Sequence, residues 1–199
     1  PSSVKSIGDE EFYGCKSLHE ITIPDSVTSI GKKVFYDCES LEQITIPPID
    51  VINICLFEGC CSLNKIQISS SVKSIKNASF RGCTSLTQIT IPSSVTSIDD
   101  EVFRGCTFLN EISIPSSVEK FGKDIFKGVN FLDITGSIQR IPMSLFKDCQ
   151  ELTQITIPSS VTKIESYAFY KCSSLTQITI PSSVTSIGDK VFNGCKSLK

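Results

Sequence analysis

Cysteine, histidine and the carboxylates are the residues that most often carry catalysis or bind metals, and this sequence has ten cysteines, one histidine and 21 acidic residues. A Cys–His or Ser–His–Asp site would depend wholly on His19. No base or orienting partner recurs near His19, so we interpret it as an exposed residue at a loop edge. Glycine-rich phosphate-binding patterns are absent from the sequence. These residues predict a protein that is not an enzyme and that binds no cofactor.

The spacing of the cysteines indicates a structural role. Eight of them occupy one equivalent position: Cys15, Cys38, Cys60, Cys83, Cys106, Cys149, Cys172 and Cys195. Val129 stands where a ninth would fall, and a position that accepts valine behaves as a small buried apolar site. Cys55 and Cys61 lie outside this series, and the adjacent Cys60-Cys61 pair lacks the C-x-x-C spacing of a zinc site. We expect free, mostly buried thiols and no metal, and unpaired thiols favour a cytoplasmic location.

The carboxylates are scattered, apart from one group at Asp99, Asp100 and Glu101. We interpret this group as a solvated face rather than a metal site. The net charge of -2 gives no reason to expect nucleic acid or an anionic membrane as a partner. No apolar run approaches the roughly 18 residues that span a bilayer. The sequence thus predicts neither nucleic-acid binding nor direct insertion into a membrane.

The chain repeats itself with a period of 23 residues. Aligning it on the clear units Pro92–Ile114 and Pro158–Ile180 gives eight full repeats and one partial repeat over residues 1–199. Repeats three and six are shortened, by one and three residues. A phenylalanine holds its position in all nine units: Phe12, Phe35, Phe57, Phe80, Phe103, Phe126, Phe146, Phe169 and Phe192. We predict a single array of stacked units, and we expect it to be a segment of a longer chain.

Each unit carries two apolar patterns. The I-x-I pattern, as in Ile21 and Ile23, alternates with period two and predicts a strand with both isoleucines inward. The V-x-x-I pattern, as in Val27 and Ile30, supplies inward residues on the return path. Residues 31–38 are predicted to form a short turn of helix with an inward phenylalanine. The fold class we predict is an α/β repeat protein, a right-handed leucine-rich-repeat solenoid with short parallel strands and short helical turns.

The pattern C-x-x-L-x-x-I-x-I-P-x-x-V-x-x-I-G-x-x-V-F resembles the BspA-like, or Treponema pallidum-type, leucine-rich repeats over essentially the whole chain. Its near-identical LTQITIPSSVTSI units are similar to repeat families of parasitic protists. The resemblance implies a non-catalytic protein–protein recognition module, with adhesion to a host or matrix protein at the cell surface as its family-level form. The alternatives are an intracellular scaffold that tethers a signalling enzyme such as a phosphatase, and a self-associating structural element.

Two lanes of outward side chains on the predicted I-x-I strands are the candidate protein-binding surface. The first lane contains Glu20, Gln43, Lys65, Gln88, Glu111, Gln154 and Gln177. The second lane contains Thr22, Thr45, Gln67, Thr90, Ser113, Asp133, Thr156 and Thr179. Both lanes are polar and mostly uncharged. They fit a broad recognition surface, and they equally fit stacked side chains that hydrogen-bond along the ladder and keep the protein soluble.

Departures from the repeat mark further candidate interfaces. In repeat three, Val51, Ile54 and Cys55 replace residues that are usually polar, which predicts either an apolar interface or local repacking after the deletion. Phe108 and Phe131 are aromatic residues near the shortened repeat six, and they suit either anchoring a partner or filling a gap.

The ends of the array bear on its oligomeric state. Neither end shows a recognisable polar cap, and the terminal strands leave unpaired edges. We therefore expect self-association, most simply as a homodimer, either end to end or laterally through repeat three.

Overall fold

The computed structural model describes residues 3–199 and shows a parallel β-solenoid whose turns mostly carry two short strands. The I-x-I strands form the first sheet: β3 (Gln43–Thr45), β5 (Lys65–Gln67), β7 (Gln88–Thr90), β9 (Glu111–Ile114), β11 (Phe131–Gly136), β13 (Gln154–Thr156) and β15 (Gln177–Thr179). The V-x-x-I segments form the second sheet: β1 (Ser6–Ile7), β2 (Ser29–Ile30), β4 (Val51–Ile52), β6 (Ser74–Ile75), β8 (Ser97–Ile98), β10 (Lys120–Phe121), β12 (Arg140–Ile141), β14 (Lys163–Ile164) and β16 (Ser186–Ile187). The predicted stack of parallel strands is confirmed. The V-x-x-I segments, predicted only to supply inward residues on the return path, form a second sheet.

Alternation along each first-sheet strand separates the core from the solvent. In β3, for example, Ile44 is buried whereas Gln43 and Thr45 are exposed. β-Branched residues favour this half-buried pleated setting. In most repeats a proline follows the strand, and because proline has no N–H to donate it helps to end the ladder.

A column of phenylalanine rings runs through the centre of the core. Neighbouring rings stack with centroids 5.1–5.9 Å apart. The seven inner rings are buried, as predicted. Phe12 and Phe192 are only partly buried, because each has a stacked phenylalanine on one side only among the described residues. The column joins the repeats into one continuous cluster of buried side chains.

The segments that carry these phenylalanines were predicted as short helical turns, and this detail is wrong: residues 3–199 contain no helix. The backbone instead bonds to the next repeat, as Lys33 N–H donates to the Ile54 carbonyl (3.0 Å) and Phe35 N–H to the Leu56 carbonyl (3.0 Å). Lys33 also has φ of 53°, and its equivalent has a positive φ in all nine repeats. A left-handed residue interrupts a right-handed helix, so these segments become successive tight turns.

Both sheets are interrupted. The first sheet has separate ladders of β3–β5 and β7–β15, and the second has ladders of β1–β2, β4–β10 and β12–β16. The breaks in the second sheet fall next to the shortened repeats three and six. The strand of a shortened repeat lies out of register with the strand of the adjacent repeat, so the ladder hydrogen bonds cannot all form.

The three-residue deletion in repeat six is absorbed by a shift of register in β11. On one side Ile134 pairs with Ile112, and on the other side Leu132 pairs with Ile155. Gly136 ends this strand with φ of 90°, and a Cβ there would lie 2.6 Å from the Ile114 carbonyl oxygen. A glycine is therefore required where the shortened chain leaves the first sheet.

Residues 3–199 contain no helix that is long and apolar enough to cross a bilayer.

Candidate protein-binding surface

The two predicted lanes lie side by side on the outward face of the first sheet. Most members pair with the next member of their own lane, as Gln43 pairs with Lys65, but Asp133 of the second lane pairs with Glu111 of the first. All members are exposed except Ser113 and Asp133, which are half-buried. The lanes are interrupted between β5 and β7, where the ladder is not hydrogen-bonded.

The polar groups of the lanes face solvent without partners in the protein. Within residues 3–199, no lane side chain makes a hydrogen bond or an ion pair to another protein group. Threonines outside the lanes behave differently: the hydroxyl groups of Thr96 and Thr162 donate to carbonyls of the preceding repeat at 3.3 and 3.2 Å. The hydrogen bonds of stacked polar side chains therefore stabilise the solenoid off the lanes, and the lanes keep their donors and acceptors available.

Two shallow depressions shape this face. The first, of about 290 Å³, is bordered by lane residues of the first three repeats and includes the charged side chains of Glu20 and Lys65. The second, of about 170 Å³, is bordered by Phe131, Gln154 and Gln177. The face thus combines separated charges at one end with an aromatic side chain at the other.

The register shift in β11 decides where Phe131 lies. It pairs with Gln154, so it takes the place of a polar residue in the first lane, with 38% of its surface exposed. Asp133 pairs with Thr156 on one side, as its place in the second lane required, and with Glu111 on the other. The sequence identified Phe131 as a candidate anchor but left its position ambiguous, since the deletion can be placed at more than one point in repeat six.

The other irregular residues are arranged differently. Phe108 is 68% exposed in the turn before β9, and no stacked or edge-on ring pair in the described part of the chain joins it to Phe131. Val51, Ile54 and Cys55 are all half-buried between neighbouring repeats. Repeat three therefore presents a smaller apolar surface than its sequence alone suggests.

The ladder cysteines are built into the core. Cys38, Cys60, Cys83, Cys106, Cys149 and Cys172 are buried, as predicted, whereas Cys195 is half-buried and Cys15 is exposed. Six ladder thiols donate to the carbonyl of a phenylalanine in the preceding repeat at 3.0–3.2 Å. Burial raises the pKa of Cys106 and of Cys172 to about 12. These thiols therefore remain protonated at neutral pH, which suppresses their reactivity.

The remaining candidates for chemistry have local structural roles. His19 is exposed, and its Nδ1 lies 2.8 Å from the Ser17 carbonyl oxygen. In the acidic group, Asp99 pairs with Lys76 at 3.5 Å, and the Asp100 carboxylate accepts a 2.7 Å hydrogen bond from a backbone N–H of the next repeat. Glu101 pairs with two arginines, at 3.2 and 2.9 Å. These carboxylates neutralise basic side chains and satisfy backbone donors between repeats.

The arrangement of repeats matches a known family model, described as the BspA type leucine rich repeat region, in six copies over residues 5–133 and 128–199. The chain belongs to the BspA-type leucine-rich-repeat family. Leucine-rich repeats of this kind are protein–protein interaction modules and are typically non-catalytic. No curated protein matches the chain.

Solved structures of bacterial proteins share the fold. A leucine-rich repeat protein from Bacteroides ovatus is 28% identical, with a TM-score of 0.60 over 100% of this chain and 64% of that chain. The Treponema pallidum leucine-rich repeat protein is 24% identical, with a TM-score of 0.50 over 100% of this chain and 76% of that chain. The chain thus spans 64% of the length of the Bacteroides ovatus relative.

Proposed function

We propose that this BspA-type chain is a protein-recognition module that contacts its partner through the two lanes of the first sheet. The observation that carries the proposal is the set of exposed lane side chains whose hydrogen-bonding groups have no partner within the described residues. A partner can replace the water bound to these groups with its own donors and acceptors, and no hydrogen bond within the protein has to break first.

The chemistry of the lanes indicates the kind of partner surface that fits. Amide and hydroxyl groups match a polar protein surface that offers both donors and acceptors. Phe131 adds a large apolar contact beside Gln154 and Gln177, and aromatic side chains of this kind often dominate binding energy. The lane charges are of both signs, with Glu20 and Lys65 two repeats apart. Glu111 pairs with Asp133, and this pair of carboxylates does not favour a polyanion.

The test is a comparison of proteins captured by matched variants. Phe131→Ser combined with Gln154→Arg alters the lanes, and Phe108→Ser alters a more exposed phenylalanine outside them. We expect the wild type and the Phe108 variant to capture the same partner, identified by mass spectrometry, and the lane variant to retain about tenfold less of it. Equal capture by all three proteins, with unchanged melting temperatures, would show that the lanes do not form the interface.

We propose first that the recognised partner is a host or matrix protein and that the module acts in adhesion. This proposal rests on the resemblance to BspA-like surface proteins. The second form is an intracellular scaffold for a signalling enzyme such as a phosphatase, which the ten unpaired cysteines favour. Binding to immobilised matrix proteins, abolished by the lane variant, is expected for adhesion. Capture of a phosphatase from a cell extract, with no matrix binding, is expected for the scaffold.

We also propose self-association, which specific apolar surfaces favour. An open cavity of about 340 Å³, lined by Val4, Ile7 and the half-buried Phe12, lies at one end of the solenoid. At the other end Ile187 is 52% exposed. A second copy stacked on either surface would cover these side chains, as further repeats of a longer chain would also do.

A further inference from the structure

The outward position of the second sheet changes chemistry partway along the solenoid. This position is a serine or a valine in the first five repeats: Ser6, Ser29, Val51, Ser74 and Ser97. It is then basic in three successive repeats, at Lys120, Arg140 and Lys163, and returns to serine at Ser186. All three basic side chains are exposed. The concentration of positive charge coincides with the break between β10 and β12.

The break has an identifiable cause in the chain. In intact parts of the second sheet, the residue after the strand donates its N–H to the preceding repeat, as Gly122 does to the Ile98 carbonyl (2.8 Å) and Glu165 to the Ile141 carbonyl (2.9 Å). The equivalent residue in repeat seven is Pro142, which has no N–H. The carbonyl of Phe121 therefore lacks the donor that this position supplies elsewhere.

The residue that leads into β12 also lacks its ladder hydrogen bond. Thr162 N–H donates to the Gln139 carbonyl (2.9 Å), following the rule for this position, whereas the N–H of Gln139 has no backbone acceptor among residues 3–199. The Glu119 carbonyl, which would accept that bond, accepts Arg140 Nη2 instead at 2.9 Å. A backbone donor at the entry end of β12 and a backbone acceptor at the exit end of β10 are thus left without backbone partners among the described residues.

A cleft of about 450 Å³ lies where the chain enters β10 and β12, and it is lined by residues 116, 118–120 and 138–140. Val118 and Ile138, both buried, contribute apolar surface to its lining, and Glu119, Lys120 and Arg140 contribute charge. The cleft therefore combines buried apolar side chains, charged side chains and the unpaired Gln139 N–H, and the Phe121 carbonyl lies one residue beyond the lining residue Lys120.

We propose that this cleft binds an extended acidic segment of a partner protein. The segment's backbone carbonyl would accept from Gln139 N–H in the cleft, and its own N–H would donate to the Phe121 carbonyl one residue beyond the lining. Its carboxylates would contact Lys120 in the lining and Lys163, which pairs with Arg140 on the next strand, β14. Addition of a strand to an unpaired edge is a common mode of peptide recognition, because the backbone hydrogen bonds supply affinity and the side chains supply specificity. This surface belongs to the second sheet, and it is independent of the lanes on the first.

The unpaired lysines of the site favour a ligand with acidic side chains. Lys120 and Lys163 have no carboxylate within 4.0 Å in the part of the chain that the structure describes, whereas Arg140 lies 3.5 Å from the Glu165 carboxylate. Two cations are therefore free to pair with a ligand.

The same arrangement disfavours a nucleic acid or a sulfated polysaccharide. Glu119 and Glu165 interrupt the positive surface, and a densely charged polymer would be repelled where it crossed them. A polyanion would also leave the unpaired backbone donor and acceptor unused.

The test uses a fluorescein-labelled peptide of about eight residues in which valine and glutamate alternate, a length typical of one strand. Fluorescence anisotropy measures its binding to the wild type, to Lys120→Glu with Lys163→Glu, and to Ser74→Glu with Ser97→Glu. The last variant introduces the same two glutamates at equivalent positions in an intact part of the second sheet, where they replace serine instead of lysine. We expect the first variant to bind at least about tenfold more weakly and the control to bind within about twofold of the wild type, with melting temperatures unchanged.

Three further ligands make each part of the proposal falsifiable. A peptide with glutamine in place of glutamate should bind about tenfold more weakly, and equal binding would overturn the ionic contacts. A peptide N-methylated at alternate residues should also bind about tenfold more weakly, and equal binding would overturn the pairing of strand edges. No saturation by the acidic peptide at about 1 mM, or tighter binding by a heparin oligosaccharide than by the peptide, would overturn the proposal as a whole.

Discussion

The Phe103 ring lies in the middle of the phenylalanine column, and its removal is the most direct test of how the repeats are held together. Its side chain is 0% exposed. The ring stacks on Phe80 with a centroid distance of 5.7 Å and on Phe126 at 5.9 Å. Replacement of Phe103 by alanine would leave a cavity between the rings of Phe80 and Phe126. The neighbouring repeats are held by their own ladders and can close this cavity only in part.

The expected loss of stability follows from this geometry. Truncation of a fully buried phenylalanine to alanine costs about 3–5 kcal/mol of unfolding free energy. The two ring contacts account for about 1–3 kcal/mol of that loss, since each aromatic pair contributes about 0.5–1.5 kcal/mol. Phe192 is the matched control, because it is only partly buried and stacks on Phe169 alone, at 5.6 Å. We expect Phe192→Ala to cost about 1–2 kcal/mol.

Urea denaturation followed by circular dichroism measures both variants against the wild type. The slope of the transition must be compared first, because repeat arrays can unfold in parts and a change in slope indicates lost cooperativity. A loss below about 1 kcal/mol for Phe103→Ala would refute the role of the column. Equal losses for Phe103→Ala and Phe192→Ala would refute the argument from burial.

Four further predictions concern a buried hydroxyl group, the reactivity of the thiols, the pH dependence of stability, and assembly. The Ser79 hydroxyl is fully buried and has no hydrogen-bond partner among the described residues, at a position where most other repeats carry valine, leucine, isoleucine or alanine. Ser79→Val should therefore raise the unfolding free energy by about 1 kcal/mol or more in the same titration. Alkylation mapped by mass spectrometry should label exposed Cys15 in the native protein and spare Cys106, and all ten cysteines should react after denaturation without reductant. The raised pKa of Cys106, about 12, means that the unfolded chain releases this proton first, so stability should fall as pH rises from about 9 towards 12, and a flat profile would contradict this. Light scattering at about 100 μM should give a mass above the 21.8 kDa of one chain. A strictly monomeric mass would exclude self-association. Val51→Asp with Ile54→Lys should restore the monomer only if association is lateral.

Features that depend on the type of residue at a fixed repeat position could be predicted from the sequence. Burial of the seven inner phenylalanines followed from their identity in every unit. The alternation of I-x-I placed Gln43 and Thr45 outward and Ile44 inward. The presence of Val129 in the cysteine series indicated a buried apolar position, and Val129 is buried. Stacking of identical units repeats the same environment, so one unit's pattern determines the burial of its equivalents.

The tertiary structure alone decided features that depend on the alignment of one repeat with the next. A helix is recognised by hydrogen bonds within its own segment, whereas Phe35 N–H bonds to Leu56 in another repeat, and no local pattern distinguishes the two. The side of the first sheet taken by Phe131 depends on how β11 divides its register between β9 and β13. The cleft beside Lys120 and Arg140 exists because a shortened repeat and a proline remove ladder bonds. Residue type sets whether a side chain is buried, but the pairing of backbone groups between turns sets which edges remain open.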